Sequence, residues 1–83
     1  MTVVVRYFAA ARAAAGVEEE KVQVEAGATV ADLLAAVRAE HGAELAKVLD
    51  RCSYLLDEVA ARDLATPLHD GAVLDVLPPF AGG

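Results

Sequence analysis

Residues 29–42 read Thr-Val-Ala-Asp-Leu-Leu-Ala-Ala-Val-Arg-Ala-Glu-His-Gly, and the fold follows from them. Thr29 can cap a helix, and Asp32, three residues on, completes a capping-box pattern in which each residue's side chain serves the other's backbone N–H. Val30, Leu33, Leu34 and Val37 fall at i, i+3, i+4 and i+7, which puts them in one apolar stripe. His41 and Gly42 close the segment, with the imidazole near the negative end of the helix dipole and glycine free to leave the helix. A helix with a single apolar face must bury it against another layer.

The flanking segments supply that layer. Residues 2–8 are β-rich, with Arg6 and Tyr7 marking a strand near a sheet edge or end. Ala9 to Ala15 has high helix propensity and stops at Gly16. Lys21 to Glu25 alternates polar and apolar, giving a second strand close enough to pair antiparallel with the first. Beyond the helix, Ala43 to Asp50 reads as a second short helical stretch. Ser53–Asp57 and Val59–Arg62 are short strands around a tight turn at Asp57-Glu58. Asp70-Gly71 signals another turn, and Ala72 to Leu77 is the last strand. This order predicts an α+β fold of β-grasp type: one mixed sheet with the main helix on one face. The first and last strands would run parallel and adjacent in its centre.

Composition bounds the function. The 83 residues make one domain, and although 57% are hydrophobic only 5% are aromatic, enough for one sheet-plus-helix core and too little for a deep enzyme pocket. A single cysteine, Cys52, excludes an internal disulfide, and with two histidines no zinc set is expected. The net charge of −6 repels phosphate backbones, so nucleic acid is not an expected partner. There is no signal-peptide layout and no apolar run of membrane-spanning length, so a cytoplasmic location is expected.

The last residues are Leu77-Pro78-Pro79-Phe80-Ala81-Gly82-Gly83. Two prolines have no N–H to extend a ladder and hold φ near −65°, so they end the strand and send the chain outward. Two glycines strip the tip of side chains, so it can thread a narrow channel and present the Gly83 carboxylate. At roughly 3.3 Å per extended residue, Phe80 to Gly83 would span about 10–13 Å. Residues 78–83 are therefore expected to protrude as a tail from the single domain 1–83.

Four motifs in order, Phe8-Ala9-x-x-Arg12-x-x-x-Gly16, Thr29-Val30-x-x-Leu33, Pro67-Leu68-x-Asp70-Gly71 and Pro78-Pro79-x-x-Gly82-Gly83, resemble the MoaD/ThiS family of ubiquitin-like sulfur carriers. Within that family the resemblance is to the small subunits of molybdopterin synthase. It spans essentially the whole chain and implies that Gly83 is adenylated by an ATP-dependent, ubiquitin-activating-like enzyme of the MoeB type. A cysteine desulfurase or rhodanese-like protein then supplies the sulfur of a thiocarboxylate. The resemblance further implies that the tail enters a MoaE-like large subunit, in a heterotetramer, and donates sulfur to cyclic pyranopterin monophosphate. The carrier would bind no cofactor or metal and would be a non-catalytic subunit. Leu56-Asp57-Glu58 departs from the family, many members of which carry an Asn-Gly-like turn there.

Phe8 and Leu77 end the two central strands and, with Phe80 and Arg12, are candidate contacts for the large subunit. Core packing is the alternative for Phe8 and Leu77, and a solvated helix arginine the alternative for Arg12. His41 reads as a helix terminator, His69 as a turn residue, and Cys52 as a packed, inert thiol rather than a persulfide site. Three other functions fit the same residues: a sulfur carrier for thiamine, cysteine or tRNA thiolation, a ubiquitin-like modifier joined to lysines through Gly83, and an interaction module with an idle tail.

Overall fold

A computed structural model of the protein describes residues 1–79. In chain order these form β1 (Thr2–Tyr7), α1 (Ala9–Ala15), β2 (Glu19–Gln23), α2 (Val30–His41), α3 (Ala43–Leu49), β3 (Ser53–Leu56), β4 (Val59–Ala60) and β5 (Val73–Leu77). The strands make one mixed sheet in the order β2-β1-β5-β3-β4. β1 runs antiparallel to β2 and parallel to β5, with Tyr7 opposite Val76, and β3 is antiparallel to β5. This is the expected α+β β-grasp sheet with β1 and β5 adjacent.

The capping box forms as read. Asp32 N–H donates to Thr29 Oγ1 (3.2 Å) and Thr29 N–H to Asp32 Oδ2 (2.9 Å). The next two free N–H groups of α2 are taken by the 61–68 loop: Val30 donates to the Thr66 carbonyl and Ala31 to that of Leu64. Val30, Leu33, Leu34 and Val37 are all buried. Each such side chain contributes about 1.5–3 kcal/mol on burial, far more than the marginal intrinsic stability of a 12-residue helix. They pack on Val3, Val5 and Tyr7 of β1 and on Leu74 and Val76 of β5, joined by Ala11 of α1, Leu45 and Leu49 of α3, and Tyr54 of β3. All three helices therefore cover the same face of the sheet.

Element boundaries differ from the sequence reading by one or two residues. β2 begins two residues earlier than the Lys21 start, because Glu19 and Glu20 pair with Arg6 and Val5, and Tyr7 N–H donates to the Glu18 carbonyl. β4 stops at Ala60, two residues before Arg62. β1 lies inside the sheet between β2 and β5, as the strand order implied and against the edge that Arg6 and Tyr7 hinted at, and Tyr7 is fully buried.

The buried Tyr7 hydroxyl needs a partner, and the early start of β2 provides it. Tyr7 O–H donates to Glu20 Oε2 at 2.6 Å, the same oxygen is held by His41 Nε2, and the Tyr7 and His41 rings meet edge-on at 5.8 Å. Burial first, and the Glu20 carboxylate second, push the phenol pKa well above its ordinary value. The last residue of α2 is thereby tied to both β1 and β2. His41 does end the helix, and it also locks that end onto the sheet.

The β3–β4 hairpin keeps a two-residue loop, since Leu56 pairs with Val59. Asp57 and Glu58 both have positive φ, 49° and 71°, the backbone of a type I′ turn that Asn-Gly adopts without strain. The departure from Asn-Gly is thus felt as strain chiefly at Glu58, which stands where the pattern has glycine. Asp57 offsets part of it, since its carboxylate accepts from Val73 N–H (3.0 Å) and from His69 Nε2 (2.5 Å). Its pKa is lowered first by the Val73 bond and then by His69, whose own pKa is raised by Asp57. His69 Nδ1 also faces the Asp70 carbonyl, so both ring nitrogens meet acceptors, as an imidazolium requires. The expected turn histidine is a clamp between hairpin and β5.

Two stability outcomes follow. Glu20→Ala leaves the Tyr7 hydroxyl buried without an acceptor and should cost about 1–3 kcal/mol in urea unfolding, whereas Glu20→Gln, which keeps an acceptor oxygen, should cost less. Glu58→Gly removes a left-handed penalty of about 1–2 kcal/mol and adds about 0.5–1 kcal/mol of chain entropy. Its unfolding midpoint should therefore rise, by roughly 0.5–1 kcal/mol in stability.

Candidate functional site

Strand alternation sends every second residue of β1 and β5 to the face opposite the helices. There lie Val4 and Arg6 of β1, Val73, Asp75 and Leu77 of β5, and, by register, Ser53 and Leu55 of β3. Among the described residues no helix packs on this side. Val4, Leu55, Val73 and Leu77 are half-buried by one another.

At the centre of this apolar face sits an ion pair. Arg6 Nε donates to Asp75 Oδ1 at 2.6 Å and Nη2 to Oδ2 at 2.8 Å, a two-pronged contact. Asp75 is 5% exposed, while the Arg6 side chain keeps 42% of its surface in solvent. The guanidinium lies 6.0 Å from the centre of the Phe8 ring. The bond to Asp75, and then its charge, raise the arginine's already high pKa, so the guanidinium stays charged.

Phe8 N–H donates to the Val76 carbonyl (3.3 Å), which extends the parallel ladder by one step and sets Phe8 beside Leu77. Immediately beyond Leu77 come Pro78, half-buried, and Pro79, exposed. An open groove flanks this stem, lined by Ala10, Lys47, Val48, Asp50, Arg51 and the two prolines.

The structure thus brings Phe8, Leu77 and Pro78-Pro79 to one end of the bare face. Phe80, Ala81, Gly82 and Gly83, and with them the expected sulfur-bearing group, lie outside the described residues. Arg12 stands apart, exposed on α1 and 3.4 Å from Glu18. Cys52 is half-buried, with its thiol 3.1 Å from the Val48 carbonyl, and burial pushes its pKa up. Among the described residues no three His, Cys, Asp or Glu side chains converge as a metal site, and no helix is long and apolar enough to cross a membrane.

The model of the ThiS family matches residues 5–83. The chain belongs to the ThiS family. Over their full lengths, the chain is 37% identical to the molybdopterin synthase sulfur carrier subunit of Chlamydomonas reinhardtii. Among solved structures it superposes on SAMP1 from Haloferax volcanii with a TM-score of 0.89, at 29% identity and full coverage of both chains. It also matches a chain of the complex of subunits 1 and 2 of the molybdopterin-converting factor of Helicobacter pylori, at 29% identity, a TM-score of 0.74 and full coverage of both. The ubiquitin-like β-grasp architecture of MoaD/ThiS proteins is therefore the fold of this chain, as the motifs implied.

Sequence reasoning missed the Arg6–Asp75 pair. Its only trace was a charge within each of two otherwise apolar strands, at positions that alternate away from Val5 and Tyr7 and from Leu74 and Val76. The Cys52 environment has a direct readout. A thiol held protonated should react with a disulfide reagent at pH 7 more slowly than a short cysteine peptide, and its rate–pH curve should lie at higher pH.

Proposed function

We propose that this chain is the sulfur-carrier subunit of a molybdopterin synthase and works in the cytoplasm. The observation that carries the reading is the full-length correspondence with the Chlamydomonas reinhardtii sulfur carrier subunit, which runs through the Gly-Gly end. A carboxylate is a poor electrophile. A MoeB-like activating enzyme uses ATP to convert the Gly83 carboxylate to an acyl-adenylate, releasing pyrophosphate. The terminal sulfur of a persulfide on a desulfurase or rhodanese-like donor attacks the acyl carbon and displaces AMP. A thiol reductant cleaves the resulting acyl disulfide to leave a thiocarboxylate, the better nucleophile. The tail, Pro78 through Gly83, then enters a MoaE-like large subunit, where sulfur passes to cyclic pyranopterin monophosphate. The large subunit supplies the acid–base groups, and the carrier supplies position. Phe8, Leu77 and Phe80 anchor the docked face, with Arg12 as a peripheral contact. Carriers for thiamine, cysteine or tRNA thiolation would use the same chemistry.

The fit to SAMP1, also described as the small archaeal modifier protein 1 of Haloferax volcanii, favours a second reading, a modifier joined through Gly83 to lysines of other proteins. Intact mass after incubation with activating enzyme, ATP and a sulfur donor separates the two. Exchange of one oxygen for sulfur is the carrier's signature, and adducts to protein lysines alone would sink it. In reconstitution with large subunit and cyclic pyranopterin monophosphate, thiocarboxylated protein should yield molybdopterin. Removing Gly82-Gly83 should abolish the yield while leaving the melting temperature unchanged.

A further inference from the structure

The bare sheet face holds a feature that apolar docking alone does not need. Arg6 has five N–H donors. Two go to Asp75, from Nε and Nη2. Three remain, two on Nη1 and one on Nη2, with no acceptor among the described residues. They point from a side chain 42% exposed, within a ring formed by Val4 and Phe8 along β1, Asp75 of β5 and Glu19 of β2. A partner that covers the ring expels water from those donors, and a buried, unmatched donor on a charged group costs more than the contact around it returns.

The charges nearby determine which acceptor suits them. Asp75 already neutralises Arg6. Glu19 stands opposite Arg6 on β2, and both Glu19 and Glu58 act on the guanidinium through their charge. Lys21 of β2, opposite Val4, is the other base nearby. A carboxylate brought to this spot would meet three acids against two bases, Arg6 and Lys21, and be repelled on balance. A neutral oxygen would not.

We infer that Arg6 and Asp75 form a selectivity element on the docking face: they admit a large-subunit surface that is apolar and presents neutral carbonyl oxygens, from backbone or Asn/Gln side chains, to the free edge of Arg6. This rests on the reading that the bare face docks onto the large subunit. A uniformly apolar partner surface would strand the free Arg6 donors, and an acidic one would repel Asp75, so both are rejected.

The test compares wild type, Arg6→Met/Asp75→Val and Arg6→Lys for binding to the purified large subunit by calorimetry, at low and high salt. The double variant turns the pair into apolar contact, which buried ion pairs commonly tolerate without loss of fold. Arg6→Lys keeps the charge and loses the planar fork. Both variants should bind about tenfold to a hundredfold more weakly, with melting temperatures near that of wild type and with a ratio to wild type that salt does not change. Equal affinity of all three overturns the inference. A ratio that collapses at high salt overturns it as well, because it marks a carboxylate partner. If Arg6→Met/Asp75→Val does not fold, the Arg6→Lys ratio decides alone. Failure of the wild type to bind at all defeats the synthase reading and this inference with it, whereas loss of discrimination with wild-type binding intact defeats only the inference.

Discussion

The parallel pairing of β1 with β5 is the constraint on which the other elements depend. Parallel neighbours cannot be joined by a tight turn, so a crossover must carry the chain back to the starting end of the sheet. Residues 8–72 make that crossover. They use it to wrap α1, α2 and α3 over one face and to add β2, β3 and β4 at the flanks. Because β1 and β5 run the same way, the exit of one lies beside the exit of the other. Phe8 and Leu77 become neighbours at that end, although 69 positions separate them in the chain. The prolines depart from the same place.

The two faces of this sheet solve different problems. On the helix side, Val3, Val5, Tyr7, Leu74 and Val76 lose nearly all solvent, and the Tyr7 hydroxyl is tolerated there because Glu20 accepts its hydrogen bond. On the open side, Asp75 is almost as buried without any helix above it. What covers it is Arg6, which satisfies both carboxylate oxygens at once. Breaking such a pair would leave an isolated charge, the costly outcome, whereas removing both members together is mild. The pair therefore stabilises the fold little, and its place on a face bordering the tail stem suits the recognition role proposed for it.

Local signals in the sequence reached as far as local interactions do. Thr29 and Asp32 announced α2 because a capping box is complete within four residues, and Gly16 announced the end of α1 because its φ of 80° suits few other residues. The tight turn at Asp57-Glu58 was legible from its neighbours. β2 was read two residues late because Glu19 and Glu20 look like loop residues until their partners, Arg6 and Tyr7, are known. The interior placement of β1 followed from the strand order, although its arginine taken alone suggests an edge until an aspartate 69 residues on is seen to neutralise it. At the site, Phe8 and Leu77 could be read from strand ends. The Arg6–Asp75 pair could not, because nothing local distinguishes a paired arginine from a solvated one.

A protein that keeps one sheet face open must still avoid joining its own copies edge to edge. β4 offers only two residues, Val59 and Ala60, and bends away through the strained turn before it. The other border, β2, lines its length with Glu19, Glu20 and Lys21. Short and charged borders are poor templates for adding another strand. A net charge of −6 adds mutual repulsion to such borders, which disfavours edge-to-edge pairing and leaves the open face available.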